Sequence, residues 1–301
     1  MRHGLLIVLL LFSLLNASAQ SSQLKKLDSL IAASDLPAAR QLVESLSQAN
    51  PSPEIHHRVQ NRLSEILILE GKLDEAEEVL QRLTGSSNNP FLLAETKTDL
   101  GFLFLNKGRN DIALSNLQEA LDLFQRAGAS GTLEAARCLA HISLVYTTTG
   151  KLSQAEENGL VALQLRQRLL GDASEEVAAS YNDLGLIYTS TNPDKALEYY
   201  DKAMAVYEKL HGSEHRKIAI ANNNLGFVYR QLKLYGDAVT SFETAEAIWK
   251  KIYPNGHPNQ ALALVNLGLT YGQMGNPTAS LGYYERAVTM YKSYYGERHS
   301  D

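Results

Sequence analysis

The sequence predicts an all-α solenoid of about seven helix pairs, and three observations lead to that fold class. A pattern of small and apolar residues recurs along the chain at spacings of 42, 42, 41 and 42 residues. Within each copy the apolar residues fall three to four positions apart, which is the spacing of an amphipathic helix. Each copy contains two segments with this spacing, so it predicts two helices. Glycine or proline separates the two helices. Stacked helix pairs explain all three observations, because one pair alone cannot bury its apolar face.

The most regular element of each copy is a five-residue segment with a small residue at its second position and an aromatic residue at its fifth. Five such segments align without gaps, at residues 100–104, 142–146, 184–188, 225–229 and 267–271. Where two helices cross closely, a larger side chain would push their axes apart, so we expect the small residues to be structural. The aromatic residues fall on the inward helical face, and we expect them to be structural as well.

Glycine marks the turn between the helices of a pair, where a helix end favours a residue that tolerates positive φ. The equivalent glycines are Gly71, Gly108, Gly150 and Gly275, and Lys233 replaces glycine in one copy. Upstream of the five clear copies the pattern is weaker. We therefore divide the chain into degenerate helix pairs at residues 20–90 and five repeats of about 42 residues at 91–301, open at the C-terminal end.

Residues 1–19 have the three-part pattern of a secretory signal peptide. A basic start at Arg2 precedes an apolar run over residues 4–15, and small residues up to Ala19 offer a cleavage site. The run is shorter than the roughly 20 residues that span a bilayer. The sequence therefore predicts an exported, periplasmic protein with no integral membrane segment after cleavage. A net charge of −5 without a basic cluster argues against nucleic acid as a partner.

Each copy has a leucine or isoleucine followed by glycine or serine, an aromatic residue three positions after that small residue, and two later small residues, in most copies alanine. This pattern resembles the tetratricopeptide repeat, and the 42-residue spacing resembles its kinesin-light-chain type. The segment from Asn223 to Gly226 matches the first helix of that type well, and the resemblance covers residues 55–301. It implies a right-handed superhelix whose concave face, lined by the first helix of each pair, holds extended peptides or partner helices.

The resemblance places the ligand groove at the residue just before the conserved leucine or isoleucine. Those positions hold Asp99, His141, Asp183, Asn224 and Asn266, and Asn182 and Asn223 stand next to two of them. An asparagine amide both donates and accepts, so a row of asparagines can pair with a peptide backbone. The two acidic residues would instead favour a basic ligand segment. For Asn224 and Asn266 the alternative is a helix cap or a solvated helix surface.

Three histidines recur every 42 residues, at His215, His257 and His299. Thr132 and Ser174 hold the equivalent place in other copies, which indicates a helix start rather than a metal site or an acid–base pair. The glycine–lysine turns lack the remaining residues of a phosphate-binding loop. The single cysteine, Cys138, has the setting of a buried apolar residue. We therefore predict no catalytic residue, no metal site, no cofactor and no enzymatic activity.

Together these features predict an exported scaffold that binds a protein or peptide in a concave groove. One alternative stays open, namely an N-terminal ligand-sensing arm of a longer protein with a caspase-like CHAT protease, a histidine kinase or a transcriptional regulator. Its basis is that residues 295–301 repeat the linker that precedes a helix in earlier copies, and that the array shows no polar capping helix.

Overall fold

The computed structural model describes residues 22–31, 35–49 and 51–296, and these residues form fourteen α-helices and no strands. We number the helices α1 to α14; they span 22–31, Leu36–Gln48, Pro53–Leu69, Leu73–Thr84, Pro90–Asn106, Asn110–Arg126, Leu133–Thr148, Leu152–Leu170, Glu175–Tyr188, Pro193–His211, Arg216–Gln231, Tyr235–Ile252, Pro258–Gln273 and Pro277–Tyr295. The all-α prediction and the count of seven helix pairs are confirmed for this part of the chain. The predicted signal peptide and His299 lie outside it.

Contacts between helices divide the chain into two compact units, Met1–Gly150 and Lys151–Asp301. The first unit contains α1 to α7 and the second contains α8 to α14. The most extensive contacts join the two helices of a pair, as in α5 with α6, α9 with α10, α11 with α12, and α13 with α14. None of the described helices is both long enough and apolar enough to span a bilayer.

The helices begin where the local sequence supplies a cap. The side chains of Thr132, Ser174, His215 and His257 each accept a hydrogen bond from a backbone N–H two or three residues later. For the two histidines the acceptor is the Nδ1 atom. The prediction that this repeat position starts a helix is confirmed for these four residues.

The turns inside the pairs use the left-handed backbone region that glycine tolerates. Gly71, Gly108, Gly150 and Gly275 have φ between 71° and 77°. Lys233 adopts the same region with φ of 61°. A side chain in this conformation costs roughly 1 kcal/mol, because the Cβ atom approaches the carbonyl oxygen.

The glycines inside the helices allow the paired helices to approach each other closely. A Cβ atom on Gly226 would lie 2.7 Å from the ring of Phe242, and one on Gly185 would lie 2.7 Å from the ring of Tyr200. Real Cβ contacts do not become this short, so a larger residue would force the helices apart. The structural role predicted for the small residues is confirmed at these crossings.

Large aromatic residues at the ends of the second helices fill the cores. Phe124, Tyr207 and Trp249 are each at most 2% exposed. Cys138 is also fully buried, and its Sγ atom donates to the carbonyl oxygen of Leu117 at 3.3 Å. Burial raises the pKa of the Cys138 thiol to about 12, so it stays protonated at neutral pH. The prediction of a buried apolar cysteine is confirmed.

Candidate functional site

In the second unit, four asparagines connect the first helices of consecutive pairs. Asn224 on α11 donates through Nδ2 to Oδ1 of Asn182 on α9 at 3.2 Å. Asn266 on α13 donates in the same way to Oδ1 of Asn223 on α11 at 2.9 Å. We call these four residues the amide row. The structure therefore brings together the asparagines that the sequence analysis selected within this unit.

The amide row uses only part of its own hydrogen-bonding capacity. The two bonds leave Nδ2 of Asn223 and Oδ1 of Asn224 unengaged. All four asparagines lie inside helices rather than at their first residues, so a capping role does not explain them. Val265 occupies the place equivalent to Asn223 on α13, and the row ends there. Donor and acceptor atoms thus remain for a further group.

A row of large apolar side chains lies beside the amide row. Leu186, Phe227 and Leu269 are 43%, 38% and 39% exposed, and each follows the conserved glycine of its helix. They stand three or four residues beyond the asparagines, which places both rows on one helical face. On α13, Leu262 stands four residues before Asn266 and is 43% exposed. We call Leu186, Phe227 and Leu269 the apolar row.

The sequence analysis did not select the apolar row. Its residues belong to the five-residue segments, in which only the small and the aromatic residues were interpreted. Their position in the helix is the signal that could have found them. The glycine faces the partner helix, and the next residue is rotated away from that inward face. The exposure measured in the structure shows which side of the helix that position occupies.

Asp183 lies next to the amide row but has neighbours of opposite charge. Burial raises the pKa of its carboxyl, whereas Arg166, Lys217 and a hydrogen bond from Asn182 act in the opposite direction. Burial lowers the pKa of Lys217, because it disfavours the charged form of this side chain too. Two basic side chains and one amide therefore favour the charged form of Asp183, but burial outweighs them.

Asp99 and His141 belong to the first unit. Asp99 is 1% exposed, and its Oδ1 atom forms an ion pair with Nη1 of Arg137 at 2.7 Å. The His141 ring stacks on Phe102 with a centroid distance of 4.6 Å. The structure therefore differs from the expectation of an acidic groove at Asp99, because Arg137 from the following first helix neutralises the carboxylate.

Arg137 belongs to a larger group of charges on α3, α5 and α7. Arg58, Glu95 and Arg137 occupy the same repeat position, six residues before the conserved small residue, and their charges alternate. Nε of Arg58 lies 3.6 Å from Oε2 of Glu95, and Nη1 of Arg137 lies 3.7 Å from Oε2 of Glu65. We call Arg58, Arg62, Glu95, Asp99 and Arg137 the charge cluster. Sequence analysis missed it, although the alternating signs at one repeat position were visible.

Elsewhere in the first unit, a cavity of about 610 Å³ opens beside α3 and the start of α5. His57 lines it, with Nε2 2.8 Å from Oγ1 of Thr96 and Nδ1 3.2 Å from Oγ of Ser86. Burial lowers the pKa of His57, so the ring is neutral at pH 7. Ser86 also donates to the carbonyl oxygen of Leu83, which gives this chain of contacts a structural role. In the described residues no group of three or more metal-binding side chains occurs.

Stacked pairs of α-helices define the class of helical-repeat proteins. The chain belongs to the tetratricopeptide repeat family. A model of that repeat matches residues 92–163, 160–209, 190–248 and 217–293, and a second tetratricopeptide model matches residues 30–96. The resemblance stated from the sequence is confirmed.

Curated relatives share only part of their length with this chain. A clustered mitochondria protein homolog from Aspergillus niger is 27% identical over 152 residues, which is 50% of this chain and 12% of that relative. The counterpart from Emericella nidulans is 28% identical over the same length. The prediction of an exported, periplasmic protein is wrong on these comparisons, because the relatives are fungal proteins named for mitochondria, and fungal cells have no bacterial periplasm.

Solved structures with the same fold have low sequence identity to this chain. A Rap protein in complex with competence and sporulation factor matches with a TM-score of 0.73 and 16% identity, over 92% of this chain and 78% of that one. The quorum sensor NprR with its cognate peptide NprX matches with a TM-score of 0.64 and 16% identity, over 91% and 79%. A putative kinesin light chain from Podosopora anserina matches with a TM-score of 0.58 and 18% identity, over 69% and 99%. Similarity at this level confirms the solenoid fold class.

Proposed function

We propose that the chain binds an extended peptide segment on the face formed by the amide row and the apolar row, and that it does so without catalysing a reaction. The observation that carries the proposal is the pairing of these two rows on α9, α11 and α13. Asn182, Asp183, Asn223, Asn224 and Asn266 are the polar residues proposed for this face. Asp99 and His141 are proposed for the equivalent face of the first unit, with Asp99 acting through its ion pair.

The two rows suit different parts of a peptide. The remaining amide donors and acceptors match the N–H and C=O groups of an extended backbone, whose side chains they do not need to recognise. Leu186, Phe227 and Leu269 expose apolar surface in consecutive helices, and such surface is stabilised when apolar side chains cover it. The proposed ligand is therefore an extended segment with apolar side chains on one side.

The comparisons support the same class of ligand. The Rap and NprR structures each contain a bound factor or peptide, and their fold extends over more than nine-tenths of this chain. We keep the division into degenerate pairs at 20–90 and five repeats at 91–301 as part of the proposal. The family match at 30–96 and at 92–293 is consistent with repeats on both sides of that boundary.

The direct test is selection of peptides from a random displayed library on the intact chain, followed by affinity measurement with variants. Asn224→Ala combined with Asn266→Ala removes the donors of both inter-helix hydrogen bonds. Asn224→Ala also removes the Oδ1 acceptor that is left for a ligand, and Asn266→Ala removes the bond that orients Asn223. Because each hydrogen bond to the ligand that is lost costs about 1 kcal/mol, we expect the double variant to weaken binding by roughly tenfold. Fluorescence anisotropy with a labelled selected peptide measures the change.

A matched control is Asn158→Ala on α8, where the exposed amide donates to the carbonyl oxygen of Gln154 and lies outside both rows. For the apolar row, Leu269→Ser is compared with Leu281→Ser, which lies 58% exposed on α14. The proposal requires the two variants in the rows to lose affinity while both controls keep it. Equal affinity in all four variants would disprove the assignment of this face.

A second candidate is a sensing role, in which the bound peptide changes the conformation of the repeats. The structural similarity to the quorum sensor NprR favours it. Hydrogen exchange distinguishes the two candidates. A scaffold should gain protection only on α9, α11 and α13 when a selected peptide binds, whereas a sensor should also change exchange in helices without peptide contact.

A further inference from the structure

The cavity beside α3 and the start of α5 lies at the end of α4, a second helix that is shorter than those of the later pairs. α4 has 12 residues, whereas α6, α8, α10, α12 and α14 have 17 to 19. The loop after α4 contributes Ser86 and Ser87 to the lining of the cavity, which measures about 610 Å³. Ligand pockets have volumes of about 300–1,000 Å³, so the space is large enough for a binding site.

The later second helices place a large side chain where α4 has already ended. The position lies eleven residues after the first small residue of the helix, and in three helices it holds a core aromatic residue at most 2% exposed, namely Phe124, Tyr207 and Trp249. In α8 it holds Arg166, whose Nη1 atom donates to Oγ of Ser180 at 2.6 Å. In the copy that contains α3 and α4, the equivalent residue is Ser87 in the loop. This copy therefore lacks the ring that fills the core elsewhere.

The wall of the cavity on α3 also departs from the repeat pattern. Seven residues before the conserved small residue, the later copies have a buried alanine, namely Ala94, Ala136, Ala178, Ala219 and Ala261. The copy with α3 and α4 has His57 at this position. In the pair of α9 and α10, the alanine belongs to the same core cluster as Tyr207. His57 therefore faces the place of the missing ring, and it lines the cavity without filling it.

The lining combines a buried apolar part with a polar rim. The apolar lining residues are at most 8% exposed, and they are Val79, Leu83 and Leu92. The exposed polar residues of the lining include Glu54, Arg82 and Asn89. Binding sites for protein partners have this arrangement, in which an aromatic side chain enters a pocket and polar groups surround it.

We propose that this cavity binds an aromatic side chain of a partner protein, which takes the place of the ring that the copy with α3 and α4 lacks. This occupant follows from the repeat itself, because the later pairs fill the same place with side chains of the chain's own Phe124, Tyr207 and Trp249. The ring of the partner covers the apolar lining, and its backbone stays at the polar rim. The site belongs to the first unit and does not depend on the peptide face proposed for the second unit.

The test uses ¹H–¹³C spectra of the intact chain labelled at its leucine and valine methyl groups. The probes are N-acetylphenylalaninamide, N-acetyltryptophanamide, N-acetylleucinamide and toluene. We expect one or both of the aromatic amides to cause saturable shifts of the Leu83 and Leu92 methyl signals, because an aromatic ring changes the magnetic field at neighbouring methyl groups. The leucine amide should bind more weakly than the better aromatic amide.

Ser87→Phe supplies a ring from within the chain, at the position equivalent to Phe124. We expect this variant to weaken binding of the better aromatic amide by roughly tenfold or more, since burial of the ring contributes most of the affinity. It should also raise the melting temperature of the free protein, because the ring covers the apolar lining. Asn88→Phe is the matched control, since Asn88 is exposed and stands outside the lining. The control should change neither quantity.

His57→Ala is a second variant, which restores the alanine of the later copies and widens the cavity. It should shift the ratio of the two affinities towards the tryptophan amide, whose ring is larger. The methyl spectrum checks that each variant is folded. The proposal is overturned if neither aromatic amide causes a saturable shift, if the leucine amide binds as tightly as both, or if Ser87→Phe and Asn88→Phe bind equally well. Binding of toluene alone also overturns it, because the occupant would then be a small molecule.

Discussion

Replacing Glu95 by glutamine should stabilise the protein at neutral and alkaline pH. The folded protein raises the pKa of Glu95 from its ordinary value of 4.5 to about 7, mainly because the carboxyl is buried. At about 1.36 kcal/mol per pKa unit, this difference corresponds to about 3 kcal/mol. Glutamine keeps the size of the side chain and corresponds to its neutral form, so the variant avoids this cost.

The sign of the effect follows from proton linkage. A carboxyl whose pKa is raised by folding contributes its full stability below pH 4.5, and that contribution is lost as the pH rises towards 7. The wild type should therefore lose stability relative to Glu95→Gln between these two pH values. Above pH 7 the difference should remain constant at about 3 kcal/mol.

Urea denaturation followed by circular dichroism at pH 4, 5, 6, 7 and 8 measures the difference in free energy of unfolding. Glu78→Gln on α4 is the matched control, since its side chain is exposed. The reasoning is refuted if Glu95→Gln is less stable than the wild type at pH 8. It is also refuted if the gain in stability is the same at pH 4 and pH 8, because burial of a charge could then not be its cause.

Further predictions concern the glycines and the peptide face. Gly226→Ala should destabilise by about 1–3 kcal/mol in thermal or urea unfolding, because its Cβ atom would meet the Phe242 ring at 2.7 Å. Gly282→Ala should stabilise by about 0.5–1 kcal/mol, since nothing lies within 4 Å of its Cβ position on α14. Lys233→Gly should stabilise by roughly 1 kcal/mol, because φ is 61° there, and an unchanged melting temperature would contradict this. Double replacement of Asn224 and Asn266 by alanine should weaken binding of selected peptides by roughly tenfold, as measured by anisotropy.

Much of the fold could be predicted because its determinants are local. Helix starts at Thr132 and Ser174 depend on a side chain and a backbone N–H three residues later. The turn glycines depend on one φ angle, and the repeat spacing identifies equivalent positions without knowledge of their contacts. The N-terminal pattern concerned cellular location rather than packing. Comparison with fungal relatives, not the fold, overturned the periplasmic prediction.

The candidate site could be predicted only in part. The asparagines were found because the family resemblance points to the position before the conserved leucine. Their hydrogen bonds could not be found, since Asn224 and Asn266 bond to residues 42 and 43 positions away. Whether Leu186 and Leu269 are exposed depends on which faces of their helices the neighbouring helices cover. Asp99 was expected at a ligand surface, and the ion pair with Arg137 was not foreseen.

The sequence by itself determined that this protein is a helical repeat with a period near 42 residues, because spacing, small residues and turns are all encoded within single repeats. Only the tertiary structure decided which of the repeated polar residues are buried and which partners they have. Alignment of consecutive helices pairs Asp99 with Arg137, joins the amide row and leaves one buried nitrogen of each arginine in the charge cluster without a hydrogen-bond partner. Burial and hydrogen-bond satisfaction depend on atoms that are distant in the chain, and no local pattern records them.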